Sequence, residues 1–400
     1  MGCHATPGLR TVRQVATIAC ASALLGTAVP GQPRHAATPL LELTRFDARS
    51  ATGLTRITAV HELRDGRVIV LDYAESTVLL LDGQLNLIGQ LGRKGRGPGE
   101  YTVPGGLLRL PGDSVAIVDY ANARWLIVTP DGRTAGVRET RLGTGCGVKT
   151  SIRAANAEKT DAVGALYREA APVRIRENGS TELVDSAAIE RWRGCHVDTV
   201  AFVPNRYAGG GQLVGTFVIG RQELGVTPFP TSTQWAVAAD GRVAIVRPDP
   251  YRVDFIDPSG QRRDGATLPY ERIPVTDAIK ARWREEQRQP VPVMMVLRTG
   301  GGSVTMQRPR YEEPRRWPKH LPPFHAKPPY LAPDGRVWVQ RALRPDERPL
   351  YDVIAEGGRF VEKVRLRRRC HITAFGATSV YVVCREDDDL EFLERHPWHR

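Results

Sequence analysis

The chain repeats itself. A turn containing glycine leads into a β-branched run ending in Asp-Tyr, first as Asp65-Gly66-Arg67-Val68-Ile69-Val70-Leu71-Asp72-Tyr73 and again as Gly112-Asp113-Ser114-Val115-Ala116-Ile117-Val118-Asp119-Tyr120. Val68 and Val115 are 47 residues apart, room for four short antiparallel strands. A unit of that size stacks against copies of itself to bury its apolar faces. Later copies begin at Asp240-Gly241-Arg242 and Asp334-Gly335-Arg336, and a degenerate one runs from Thr378 to Val383. Each reads as a tight turn into a strand. Downstream runs such as Trp125-Leu126-Ile127-Val128 before Pro130-Asp131-Gly132, and Val253-Asp254-Phe255-Ile256 before Pro258-Ser259-Gly260, read as third strands turning into fourth strands.

Counting copies places six units at about 54–92, 104–142, 146–203, 231–270, 327–368 and 370–396. The third is degenerate, marked by Ala162–Tyr167 and by Asp198–Val203, and the last has room for only three strands. Leu40–Phe46 precedes the first unit and has none of its own, so it is expected to supply the missing outer strand and remove the exposed edge. The expected architecture is all-β: a six-bladed β-propeller of four-stranded antiparallel blades, its last blade closed by an N-terminal strand.

The stretch Leu91-Gly92-Arg93-Lys94-Gly95-Arg96-Gly97-Pro98-Gly99-Glu100-Tyr101, with Val118–Arg124 after it, resembles the bacterial six-bladed propellers related to NHL repeats. The resemblance implies the fold across residues 40–400; many members of that group are exported, and the fold by itself names no activity. Without a Lys-Ser/Thr ending or a strand and helix around it, the glycine-rich linker reads as a structural inter-blade turn rather than a phosphate cradle. Arg93 and Arg96 on its rim remain candidate anion contacts. Asp72 and Asp119 recur at strand ends, where they are expected to satisfy backbone donors rather than line a cation site.

Arg10 and Arg13, the apolar stretch Val15–Leu25 and the small residues Gly26, Thr27 and Ala28 follow the order of a secretory signal, expected over residues 1–28 with a linker at 29–39. The apolar stretch falls short of the ~20 residues needed to span a bilayer, and the mature chain is expected to carry no transmembrane segment. Thr17-Ile18-Ala19 lacks the Leu-like residue that would mark Cys20 for lipidation, so no lipid anchor is expected there. The mature chain keeps Cys146, Cys195, Cys370 and Cys384 in a compartment that permits disulfides, periplasmic or extracellular. Cys370 and Cys384 flank a hairpin centred on Ala377 and are expected to pair across it; Cys146 and Cys195 are the second candidate pair.

The excursion from Arg272 to Lys327 holds 12 Lys+Arg against 5 Asp+Glu, more than half of the chain's net charge of +12. Thr276 to Arg288 reads as a short helix capped by Thr276, with Ile279 and Trp283 on one face. Arg315, Arg316, Trp317, Lys319 and His320 combine cations with an aromatic ring, as a surface for an anionic or glycan partner would; alternatively the tryptophans anchor the excursion and its charges face water. The histidines show no HExxH spacing and no serine sits in a nucleophile elbow. No cofactor and no metal ligand set is therefore assigned. The residues favour a binding or scaffold protein of the cell envelope, monomeric, with a protein or glycan partner and no nucleic-acid role. The alternative is a lactonase- or lyase-like propeller enzyme using a divalent metal in its central channel.

Overall fold

In a computed structural model the described residues are 38–139, 141–142, 152–153, 159–170, 173–175, 181–205, 211–214, 217–220, 228–288, 295–299, 302–306 and 313–398. The expected signal segment, Cys20 and Cys146 lie outside them. The Asp-Gly-Arg turns take one local form. Asp65, Asp240 and Asp334 each accept the backbone N–H of the arginine two residues on, at 3.0, 3.1 and 3.0 Å. The glycine between them sits at φ 84°, 86° or 82°, which a side chain would oppose.

From these turns run six sheets, each built on four antiparallel strands. Blade one comprises Ile57–Glu62, Val68–Asp72, Thr77–Leu81 and Leu87–Gln90, and blade two Pro104–Arg109, Val115–Asp119, Arg124–Val128 and Thr134–Glu139. Blade three, weak in sequence, is formed by Lys159–Thr160, Leu166–Glu169, Ser186–Arg193 and His196–Pro204. Blade four is Gln234–Val237, Val243–Pro248, Tyr251–Ile256 and Arg262–Arg263. Blade five is Tyr330–Leu331, Val337–Gln340, Leu350–Ala355 and Arg359–Arg365, and blade six holds Cys370–Phe375, Ser379–Arg385 and Glu391–Pro397.

The core consists of the six blade-to-blade interfaces. Ile69 and Leu71 pack against Val115 and Ile117 of blade two, whereas Val68 and Val70 on the same strand pack against Tyr381 and Val383 of blade six. The alternation of side chains along a strand thus assigns successive residues to opposite neighbours. Equivalent clusters join blades two and three through Trp125 and Trp192, three and four through Tyr167 and Trp235, four and five through Val246 and Val339, and five and six through Trp338 and Val382.

The glycine-rich linker is one of the struts between blades. The Glu100 carboxylate accepts the Gly97 N–H at 2.7 Å and the Arg93 Nε at 2.8 Å, which folds the loop back on itself. Tyr101 is fully buried in the interface of blades one and two and accepts the Val78 N–H at 3.1 Å. A Cβ on Gly92 would lie 2.8 Å from Leu126 and 2.9 Å from the Gly99 carbonyl. Asp72 accepts the N–H groups of Thr55 and Arg56, and Asp119 those of Thr102 and Val103, so both carboxylates tie down the loop entering the inner strand.

The N-terminal strands differ from expectation. Leu40–Glu42 pairs in parallel with Arg359–Arg365 and gives blade five a fifth strand. It is Ala48–Arg49 that lies antiparallel to Glu391–Pro397 as the fourth strand of blade six, with Leu54 bridging to Glu391 just after it. The Glu391 carboxylate then accepts the Ile57 N–H at 2.7 Å. The reason is local: the chain passes from that outer strand straight into the first inner strand, so the residues nearest Ile57 take the edge. Leu43, between the two short strands, is buried beside Trp338 and Trp398.

Cys370 and Cys384 face each other in register on adjacent strands of blade six and form a disulfide with Cα atoms 4.1 Å apart. Cys195 is also disulfide-bonded. No described helix is long and apolar enough to cross a membrane.

Removing residues through Arg49 uncovers the edge of blade six and should lower Tm several degrees more than removing residues through Glu42, which strips only the added strand of blade five; equal melts of the two truncations would refute that ordering. Replacing Cys370 and Cys384 together by serine opens a loop closed over 14 residues and should cost about 3 kcal/mol in urea titration, less if the reduced chain keeps the hairpin in its unfolded ensemble.

Candidate functional site

Each inner strand ends on one hydrogen bond that closes its hairpin: Leu63 to the Arg67 carbonyl, Leu110 to Ser114, Asp161 to Ala165, Ala238 to Arg242, Ala332 to Arg336 and Gly376 to Ser379. These bonds put the six blades in a common register. The residues one step before them, Glu62, Arg109, Thr160, Val237, Leu331 and Phe375, all line one cavity of about 1490 Å³ at the turn end of the central channel. All six are half-buried. Their chemistry divides the mouth in two: blades one to three supply Glu62, Arg109 and Thr160, and blades four to six supply Val237, Leu331 and Phe375. One step deeper, the wall holds His61 of blade one and Lys159 of blade three.

The carboxylates on this wall already have partners. Glu62 accepts the Tyr381 hydroxyl at 2.6 Å and the Ala377 N–H at 3.0 Å. Burial, and then that bond to Glu62, pushes the Tyr381 hydroxyl well above the ordinary tyrosine range. Asp113 accepts the Arg64 N–H at 2.9 Å, and Asp240 holds the Arg242 guanidinium at 2.7 Å. Arg109, by contrast, has no ion-pair partner among the described residues. Lys159 lies with its ammonium 3.9 Å from the centre of the Trp235 ring. No group of three or more His, Cys, Asp or Glu side chains placed to hold a metal ion occurs among the described residues.

Burial dominates the titration of three histidines. Burial, then the charge of Arg109, lowers His61 to about 4, only partly offset by Asp113. Burial, then Lys327 and Arg385, lowers His371 to about 4, and burial with Lys327 also lowers His325. Lys327 lines the same cavity and is itself lowered, by burial first.

The residues singled out from sequence are placed elsewhere. Arg93 is held by Glu100, and Arg96 is exposed with its carbonyl accepting the Arg124 Nη1 at 2.8 Å; both lie on the linker between blades one and two. Arg315, Arg316, Lys319 and His320 are exposed on the excursion between blades four and five. The helix there is Asp277–Arg288, with the Thr276 hydroxyl accepting the Ile279 N–H at 3.4 Å and Ile279 and Trp283 buried. Trp317 packs edge-on to Trp283 at 5.2 Å and beside Phe229 at 6.2 Å, with the Arg284 guanidinium against it, so its ring is an anchor for the excursion. A second cavity, of about 730 Å³, lies beside blade five; its Arg348 and Arg365 are paired with Glu42, and its Arg341 with the buried Asp352.

No protein-family model matches this chain, and no curated protein matches it. Among solved structures it is similar to an assumed exported protein of Bacteroides fragilis, at 10% identity and a TM-score of 0.46 over 90% of this chain and 100% of that one. A gluconolactonase of Xanthomonas campestris matches at 8% identity and a TM-score of 0.42, over 88% and 91% of the two chains. Virginiamycin B lyase of Staphylococcus aureus matches at 10% and 0.35, over 85% and 80%. At TM-scores below 0.5 these likenesses carry no argument, and the six-bladed fold rests on the strand pairing of the chain itself.

His61 and His371 bind protons more readily in the unfolded chain than in the folded one. Their contribution is thus complete above the unfolded value of 6.5 and is lost as pH falls toward the folded value of about 4. Between pH 7 and 4.5 each should remove up to ~2–3 kcal/mol from the unfolding free energy. Replacing both by glutamine should flatten that part of the profile, measured by urea titration; a variant with the same acid slope as the parent would show that these histidines titrate normally when folded.

Proposed function

We propose that this chain is an exported binding protein of the cell envelope whose ligand occupies the turn end of the central channel. The observation that carries the reading is the state of the channel wall. Its carboxylates are engaged by Tyr381, Arg64 and Arg242, and His61, lowered to about 4, is a weak base at neutral pH. Beside them the wall offers a ligand the Arg109 guanidinium, the Lys327 ammonium, apolar side chains and the hydroxyl of Thr160, groups that hold molecules rather than transform them. A mouth whose unpaired charge is cationic also repels the divalent ion that a propeller lactonase or lyase would need.

Export is supported by the Cys370–Cys384 disulfide, a bond that persists in oxidising compartments, and by the signal-like order of the first 28 residues. The resemblance of the linker to NHL-related propellers fits the same reading. The exposed Arg315, Arg316, Lys319 and His320 form a separate basic edge for a protein or glycan partner.

Elemental analysis of the purified mature protein, with thermal melts in the presence and absence of EDTA, tests this reading. No stoichiometric divalent metal and an unchanged Tm are expected. One equivalent of metal whose removal lowers Tm would instead support the metal-dependent enzyme.

A further inference from the structure

We infer that the channel mouth takes a monoanionic organic acid with an apolar body, its carboxylate on Arg109 and its body against Val237, Leu331 and Phe375. This inference rests on the reading of the channel as a binding site and adds the chemistry of the ligand.

Three features of the wall lead to it. First, the ring of six equivalent positions is two-sided, with the cation on blade two and the apolar side chains on blades four, five and six, the half of the ring beyond blade three. A molecule filling the mouth has to be two-sided as well. A wholly polar anion would leave the apolar arc against water, and a wholly apolar molecule would cut the guanidinium off from solvent without a partner. Second, the formal charge at this level is small. Among the six equivalent positions Arg109 is the one cation and Glu62 the one carboxylate, which suits a ligand with a single carboxylate better than a phosphate dianion. The planar guanidinium matches a carboxylate in a two-bond contact. Third, the cavity of about 1490 Å³ has room for a body well beyond the carboxylate itself.

Burial, and then the Arg109 charge, lowers His61 to about 4, which accords with a ring beside that guanidinium. His61 faces Arg109 and Asp113, and on blade one it sits immediately before Glu62. It contributes a neutral ring to the wall near the carboxylate position.

Isothermal titration of the full mature chain at pH 7 tests the inference with 3-phenylpropionate and octanoate as amphipathic acids. 3-Phenylpropan-1-ol, which lacks the charge, propionate, which lacks the body, and inorganic phosphate serve as the contrasting ligands. At least one amphipathic acid should bind about tenfold or more tighter than any of these three. Arg109→Ala should weaken that acid by about tenfold or more while leaving Tm within a degree or two, and Arg109→Lys should keep part of the affinity. Val237→Ser should weaken the amphipathic acid but not propionate. Phosphate binding tighter than both acids, Arg109→Ala binding like the parent, or no binding of either acid would each overturn the inference. Failure here in a metal-free protein leaves the binding-protein reading standing, whereas stoichiometric metal overturns that reading first.

Discussion

Every blade depends on the burial of its second strand between two neighbours. Val68 through Asp72 are buried at all five positions, and so are Val115 through Asp119. Because adjacent residues point to opposite faces, each such strand needs an apolar partner on both sides. A linear stack would leave its first and last blades with one face in water; a fully buried Val, Leu or Ile is worth ~1.5–3 kcal/mol, so several exposed at once would exceed the margin of an ordinary domain. The interface that joins blade six to blade one, through Tyr381, Val383, Val68 and Val70, meets this need at the two ends of the chain.

The short strand Ala48–Arg49 follows from the same constraint. Blade six brings three strands of its own, and its third would otherwise present unpaired backbone groups along its outer edge. The hydrogen bond from Ile57 N–H to Glu391 and the bridge from Leu54 to Glu391 bind the entry of blade one to the last blade. Arginine-to-carbonyl contacts reinforce other interfaces from outside the core: Arg67 of blade one donates to the carbonyls of Pro130 and Asp131 in blade two, and Arg191 of blade three to that of Pro258 in blade four. The arginine of the repeating Asp-Gly-Arg turn is therefore a tie between blades in its first copy, and part of the high arginine content is structural.

Much of this was legible in the sequence because the relevant physics is local. The Asp-Gly-Arg turns, the Thr276 cap, the pairing of Cys370 with Cys384 across one hairpin and the inter-blade role of the Gly92–Tyr101 linker all depend on residues within a single turn, hairpin or linker. The N-terminal strands were less legible: Leu40–Glu42 and Ala48–Arg49 are so short that their partners are chosen by the ring rather than by their own pattern. The candidate site was missed for a different reason. Attention to charge density led to Arg315, Arg316, Lys319 and His320, which face solvent, whereas Arg109 is a single arginine in an unremarkable run. A signal was nonetheless present, since Glu62, Thr160, Val237 and Leu331 each stand four residues before a turn glycine at Gly66, Gly164, Gly241 and Gly335. Aligning the repeats on those glycines brings the channel ring into one column.

That column shows how a repeated fold becomes asymmetric. The positions that pack blade against blade stay apolar from copy to copy, because every interface has the same geometry to fill. The residue just before the hairpin bond lines the channel mouth and only partly packs on an interface between blades, as Val237, Leu331 and Phe375 do, so packing constrains it less than the fully buried positions. It is Glu, Arg, Thr, Val, Leu and Phe in the six blades, six different residue types at one structural position. Divergence there touches only the margin of each interface, so the wall can acquire a cationic side and an apolar side while the fully buried strand positions stay apolar. The ring of interfaces fixes where that wall stands, and the differences among its six residues give the channel its chemistry.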